Sequence, residues 1–221
     1  MTSFAKIRAA AEKRFGKEAL DARLPQVKSP AQLRKVGDDR YLSLMSLRVF
    51  RAGLRHDMVD AKWPAFEKAF FGFEPRRVRA MSEEAIEKLM GDQRLIRHLG
   101  KLRSVQANAA TMLDVAAEKG SFAAWLADWP ASDITGLWEA LAKRFSQLGG
   151  NSGAYFLRMA GKDTFIATPS VVKALNHWGV LEGEPKGKAG RARLQAIFNA
   201  WVAETKAPLA HLSVTLAASV E

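Results

Sequence analysis

Apolar residues along this chain recur mainly three and four positions apart, the spacing that gathers them on one face of an α-helix. Phe4, Ile7, Ala11 and Phe15 predict a first, basic helix that stops near Gly16, and the Leu24-Pro25 and Ser29-Pro30 pairs mark a connecting loop. Leu42, Met45, Val49 and Ala52 continue the pattern in a second helix. Ser82 is a good N-cap, with Glu83 and Glu84 in the first turn where the helix dipole favours acids, and Ile86, Leu89 and Met90 as the buried stripe. A long central helix is predicted from Leu95 through Leu99, Leu102, Val105, Ala109 and Met112 to Leu113. Later stripes are Leu137, Leu141 and Phe145, then Tyr155, Phe156 and Met159, then Leu194, Ile197, Phe198, Trp201 and Val202. Only Thr164 to Val172 has the composition of a strand, and Pro169 argues against it because proline cannot donate to a ladder. No internal repeat is visible, and the expected fold class is all-α. A basic helical extension over residues 1–35 would precede a main helical domain over 36–221.

Composition narrows the partners. The 221 residues are 48% hydrophobic, enough for a real core, and 34 Lys and Arg against 23 Asp and Glu leave a formal charge of +11. Such a chain favours a polyanion; nucleic acid is the commonest, and an anionic membrane surface is the alternative. The absence of cysteine excludes disulfides, thiolate metal sites and a cysteine nucleophile, and agrees with a reducing compartment. The first twenty residues are charged throughout, and no apolar run approaches the ~18 residues of a membrane span. A monomer without a membrane segment, cytoplasmic and associated with the nucleoid, is expected. His98, His177 and His211 lack a metal-binding spacing, so no metal is expected.

Two short elements could carry nucleic-acid chemistry. In the first, a helix ends at Lys143-Arg144, the run Leu148-Gly149-Gly150-Asn151-Ser152-Gly153 follows, and a second helix begins. Glycines permit left-handed backbone angles, so amides of this run can converge at a helix N-terminus and hold a phosphate oxygen without reading sequence. An apolar residue before the glycines would pack the two helices together, and Leu148 fits; an ordinary interhelical turn is the alternative. The second element is Arg97, His98 and Lys101 beside Gly100, at the start of the long helix. A solvated basic face is the other reading of that cluster.

From Asp39 to Leu113 the chain resembles, without a gap, the bacterial 3-methyladenine DNA glycosylase I family. The resemblance is carried by Ala52-Gly53-Leu54, Phe73-Glu74-Pro75, Ile96-Arg97-His98, Gly100-Lys101 and Asn108-Ala109, and it resumes near Leu141 through the hairpin to about Gly161. It implies a two-lobed helix-hairpin-helix DNA glycosylase fold, double-stranded DNA as partner, and rotation of a damaged nucleotide into an aromatic pocket. It also implies monofunctional chemistry, since no lysine occupies the hairpin-proximal position expected for a Schiff base, and no cofactor beyond a monovalent cation conceivable at the hairpin.

Departures from the family fall where it places its chemistry. The family's pocket Glu is matched by Arg48, and its Ser-Trp after Ala-Gly-Leu by Arg55-His56. Its cysteine–histidine zinc clip cannot form here. The segment from Gly161 to Leu175 is similar to another branch, the broad-specificity alkylbase glycosylases, whose catalytic Asp is matched by Thr168-Pro169. Candidates for the missing acid–base group are therefore His56, Asp57, Asp60 and Asp163, the last with helix capping as its alternative. Tyr41, Arg48, His56 and Trp63 are the candidate base pocket, while Trp125 and Trp129 follow Phe122 at helical spacing and read as core. Beside alkylpurine excision stand two other readings. One is a DNA-binding or damage-sensing relative that does not cut. The other is a different base or glycosidic substrate, with Arg48 recognising the acceptor-rich edge of a neutral base; apart from these readings, Arg48 could point outward to phosphate.

Overall fold

Caps supplied by side chains decide where several helices of this protein begin. The structure, a computed structural model, describes residues 2–220, and among the described residues there is no strand. The helices are α1 (Phe4–Phe15), α2 (Lys17–Asp21), α3 (Pro30–Arg34), α4 (Asp38–Arg51), α5 (His56–Ala69), α6 (Pro75–Arg79), α7 (Glu83–Lys88), α8 (Leu99–Lys119), α9 (Phe122–Asp128), α10 (Ile134–Arg144), α11 (Ser152–Ala160), α12 (Pro169–His177), α13 (Gly187–Thr205) and α14 (Leu209–Ala218). Ser82 caps α7 by accepting from the Ala85 amide, as its sequence context predicts. Thr168 caps α12, and Pro169 occupies the first helical position, where its missing N–H has no partner to lose. The stretch from Thr164 is accordingly an irregular run, with the Thr168 amide donating to Ile166 O at 2.9 Å, that leads into a helix. Among the described residues no helix is long and apolar enough to cross a membrane.

Two compact units divide the chain, each assembled from separated stretches. The terminal unit takes residues up to 28, 129–138 and those from 161 onward. Within it Glu204 of α13 accepts from the Ser3 hydroxyl at 2.8 Å and from the Phe4 amide at 2.9 Å, placing a carboxylate at the positive end of α1. Phe165 and Phe198 stack at 4.1 Å, Trp138 meets Phe165 edge-on, and its indole donates to Thr164 Oγ1 at 3.0 Å. The buried Gln195 amide accepts from the Thr135 amide and donates to Ala131 O, joining α13 to the 129–138 stretch.

The hairpin unit takes residues 29–128 and 139–160. Its spine is α8, whose buried face carries Leu102, Val105, Ala109, Met112 and Val115. Around Phe122 gather Tyr41, Trp125, Phe145 and Phe156, and Asp38 of α4 accepts from the amides of Phe122 and Ala123 at the start of α9. A second aromatic group, Phe50, Trp63, Phe66, Phe70 and Phe73, joins α4 and α5 to the turn after α5.

Candidate functional site

The run between α10 and α11 forms a hairpin whose backbone needs what its sequence supplies. Gly150 has φ 56°, in the left-handed region that glycine enters without strain, and Gln147 has φ 65° with no such licence. The Ser152 amide donates to Gly149 O at 3.1 Å and the Tyr155 amide to Asn151 O at 2.9 Å, so the turn passes directly into α11. Leu148 is buried, and Gly149 and Gly150 are exposed. A Cβ at Gly153 would lie 3.2 Å from Leu148 O and 3.5 Å from a Leu141 methyl, so α10 and α11 approach as closely as they do because that residue has no side chain.

The hairpin is clamped from one face of α8. The Asn108 side-chain amide, fully buried, donates to Ser146 O at 3.1 Å and accepts from the Ser146 amide at 2.7 Å, pairing with the loop as a second backbone would. Thr111 donates to Arg144 O, and Glu118 holds the Arg144 guanidinium through both oxygens at 2.6 and 2.8 Å, which keeps the Glu118 carboxyl below the usual range. Lys143 is exposed. At its other end α8 is capped by His98, whose ring accepts from the Lys101 amide at 3.3 Å. A Cβ on Gly100 would lie 3.4 Å from that ring and 3.9 Å from the Gln147 side-chain amide. The two elements singled out in the sequence therefore lie side by side, with Arg97 and His98 both exposed.

From α4, Arg48 reaches the same place. Its Nη2 donates to Ser152 Oγ at 3.4 Å, its Cζ lies 4.6 Å from the centre of the Tyr155 ring, and its Nε is buried without a hydrogen-bond partner. Burial holds the guanidinium below its ordinary pKa, Tyr155 opposes that, and Arg51 adds to it. Lys101, 8% exposed, donates to Phe50 O at 3.3 Å and Ala52 O at 2.7 Å, closing the end of α4. Burial, then the charge of Arg48, lowers its pKa as well. Among the described residues neither cation pairs with a carboxylate, whereas Arg51 is held by both oxygens of Asp60 at 2.8 and 2.5 Å.

Other candidates sit elsewhere. His56, Asp57 and Asp60 are exposed on the first turns of α5; Arg55 binds Asp57 and depresses its carboxyl, and Asp60 meets the cationic group only through Arg51. Trp63, half-buried, stacks on Phe66 at 5.0 Å and Phe73 at 5.4 Å, and donates to Ser43 Oγ at 3.0 Å. Ser43 donates in turn to Glu67 at 2.7 Å, and Glu67 grips Arg40 with both oxygens at 3.1 Å. Tyr41 is fully buried, its hydroxyl donating to Leu33 O at 2.8 Å; burial, with Asp38, pushes its phenol up to about 12. Asp163, in the terminal unit, accepts from the Leu209 and Ala210 amides at 3.1 and 2.9 Å and so caps α14. It also lines an open cavity of about 300 Å³ with Asn199 and Lys206. Sequence reasoning passed over Asn108 as a clamp, Gln147 as a left-handed residue, Glu67, and Tyr155 as the partner of Arg48. Tyr155 left a signal, three residues after Ser152 and so on the same helical face, and Asn108 left one in the Asn108-Ala109 pair that carries the resemblance.

Together these groups bring the hairpin, the basic start of α8, the Arg48 guanidinium and the exposed Tyr155 ring to one face. Comparison with known proteins gives that face its context. A sequence profile of methyladenine glycosylases matches residues 33–147, more than half of the chain. The DNA-3-methyladenine glycosylase 1 of Escherichia coli K12 is 33% identical over 76 residues, 34% of this chain, and that match spans 41% of the relative's length. A crystal structure of 3-methyladenine DNA glycosylase I superimposes with a TM-score of 0.52 at 25% identity, covering 65% of this chain and 86% of that one. The 8-oxoguanine DNA glycosylase of Methanocaldococcus jannaschii covers 95% of this chain and 89% of its own with a TM-score of 0.57; at 13% identity it speaks for the fold alone. The all-helical glycosylase fold expected from the sequence is the one observed, and the chain belongs to the methyladenine glycosylase family.

Proposed function

We propose that this protein is a monofunctional DNA glycosylase of base excision repair, hydrolysing the N-glycosidic bond of alkylated purines of the 3-methyladenine type in double-stranded DNA. The observation that carries the reading is the apposition of the hairpin to the His98–Lys101 end of α8 on a protein of this family. Exposed Lys143, Arg97 and the hairpin amides are suited to phosphate oxygens, which position a duplex without reading it. The enzyme would take the damaged nucleotide out of the stack. A cationic purine is already a good leaving group: water adds at the sugar C1′ as the C1′–N bond breaks, the purine keeps the bonding pair and departs neutral, and the water gives up a proton. His56, Asp57 and Asp60 are all exposed, but Arg55 engages Asp57 and Arg51 engages Asp60, which leaves His56 as the group to receive it. Incubating the protein with duplex carrying methylated purines should release free base, and borohydride should trap no covalent adduct. Release no greater than that of a heat-inactivated control overturns the reading.

A second reading is favoured by Arg48 standing where the family has its acid and by the commitments of Asp57, Asp60 and Asp163 to other partners. In it the protein binds DNA and processes no lesion. Salt-dependent duplex binding with no base released from any methylated substrate would select it.

A further inference from the structure

A guanidinium carries five N–H donors in a rigid fork matched to two oxygens of one acceptor group. Arg48 spends little of that capacity inside the protein. Its one hydrogen bond, to Ser152 Oγ, is long at 3.4 Å, its Nε is buried without a partner, and one face of the fork is covered by Tyr155. The surroundings add positive potential rather than cancel it. Lys101 is buried nearby, α11 presents its N-terminal turn with no acidic residue in it, and Asp60 is occupied by Arg51. A half-buried guanidinium with an unpartnered Nε, beside a buried ammonium and the positive end of a helix and with no carboxylate among the described residues to match it, is costly unless an anion meets it.

We propose that Arg48 and the first turn of α11, backed by Lys101, form an oxyanion site that takes one phosphodiester group of a bound DNA strand. A phosphodiester offers the paired oxygens that a guanidinium fork fits, and α11 is the helix that follows the hairpin. The assignment of the phosphate to DNA rests on the function proposed above; the oxyanion site does not. A consequence for the pocket follows directly: the residue in the family's acid position serves the backbone of the nucleic acid and leaves the base to other groups.

Arg48→Met and Arg48→Lys separate the possibilities, with urea midpoints recorded for both to confirm folding. For the wild type, the logarithm of duplex affinity should fall linearly with the logarithm of salt, and R48M should flatten that slope by about 0.9, the contribution of one phosphate contact. R48K should restore most of the slope. Replacing single phosphates by methylphosphonates along the strand should reveal one position that weakens the wild type several-fold and leaves R48M unchanged. An unaltered slope overturns the proposal, as does the absence of any such position. It also falls if R48M changes base preference while the slope stays fixed, since Arg48 then reads a base. If the wild type binds no duplex, the functional reading fails separately, and the Arg48 Nε–H resonance in NMR becomes the test. A shift on adding inorganic phosphate or dimethyl phosphate sustains the oxyanion site, and no shift with either rejects it.

Discussion

Lys101 and Tyr41 each bury a polar group against a backbone carbonyl, and each makes a measurable claim. The Lys101 ammonium satisfies the carbonyls of Phe50 and Ala52 at the end of α4. Lys101→Met keeps the aliphatic stem and orphans both acceptors, so it should lower unfolding free energy by about 1–3 kcal/mol, read from urea denaturation. Tyr41 holds its proton in the fold up to about 12, because ionising it would place a charge in the core and remove the bond to Leu33 O. An unfolded tyrosine ionises near 10, so the unfolded chain sheds that proton first. The contribution of Tyr41 to stability is therefore complete below about pH 10 and is lost as pH rises toward about 12. In Tyr41→Phe this part of the alkaline loss should disappear from the pH dependence of unfolding.

At the scale of elements, one face of α8 sets the hairpin in place. Asn108→Ala removes both bonds to Ser146 and leaves the loop's amide and carbonyl without partners, at about 1–3 kcal/mol. Amide hydrogen exchange at Leu148 to Gly150 should accelerate in that variant, while exchange in α13 should not change. In the other unit, a Cβ on Gly190 would fall 2.3 Å from the Pro185 carbonyl carbon, so Gly190→Ala must displace the 183–187 loop. Thermal unfolding should report a loss of about 1–3 kcal/mol, as for other overpacked sites. Much of this architecture was legible in the chain. Spacing found α1 and its stop at Gly16, Ser82 announced α7, and the glycines around 150 announced a turn with a left-handed residue. The long helix begins at Leu99 and not at Leu95, because His98 caps it and Leu95 is buried from a bend by tertiary packing alone. Nothing in the periodicity marked α5, which carries Pro64 in its interior, or α14, which is buried nearly all round and so has no polar face to set a period. The site was legible where chemistry needs a residue type and illegible where it needs a direction: Arg48 could be placed on a helix, but only packing against α11 aims it at Ser152.

For the molecule as a whole, charge and connectivity act together. A net charge of +11 favours any polyanion over long range, whereas the hairpin, the His98–Lys101 end of α8 and Arg48 concentrate contact at one place on the hairpin unit. Competition by heparin should therefore weaken wild-type binding strongly, and the effect of adding Arg48→Met to Asn108→Ala should fall short of the sum of the two alone, since both act on one patch. The terminal unit has a consequence in time as well as in space. α1 completes its packing against Trp201, Glu204 and α14, all of them more than a hundred and seventy residues away along the chain. During synthesis Phe4, Ile7 and Ala11 are made before α13 and α14, the helices that cover them. A chain that lacks α14 therefore leaves part of the apolar face of α1 uncovered, a surface that chaperones and proteases recognise.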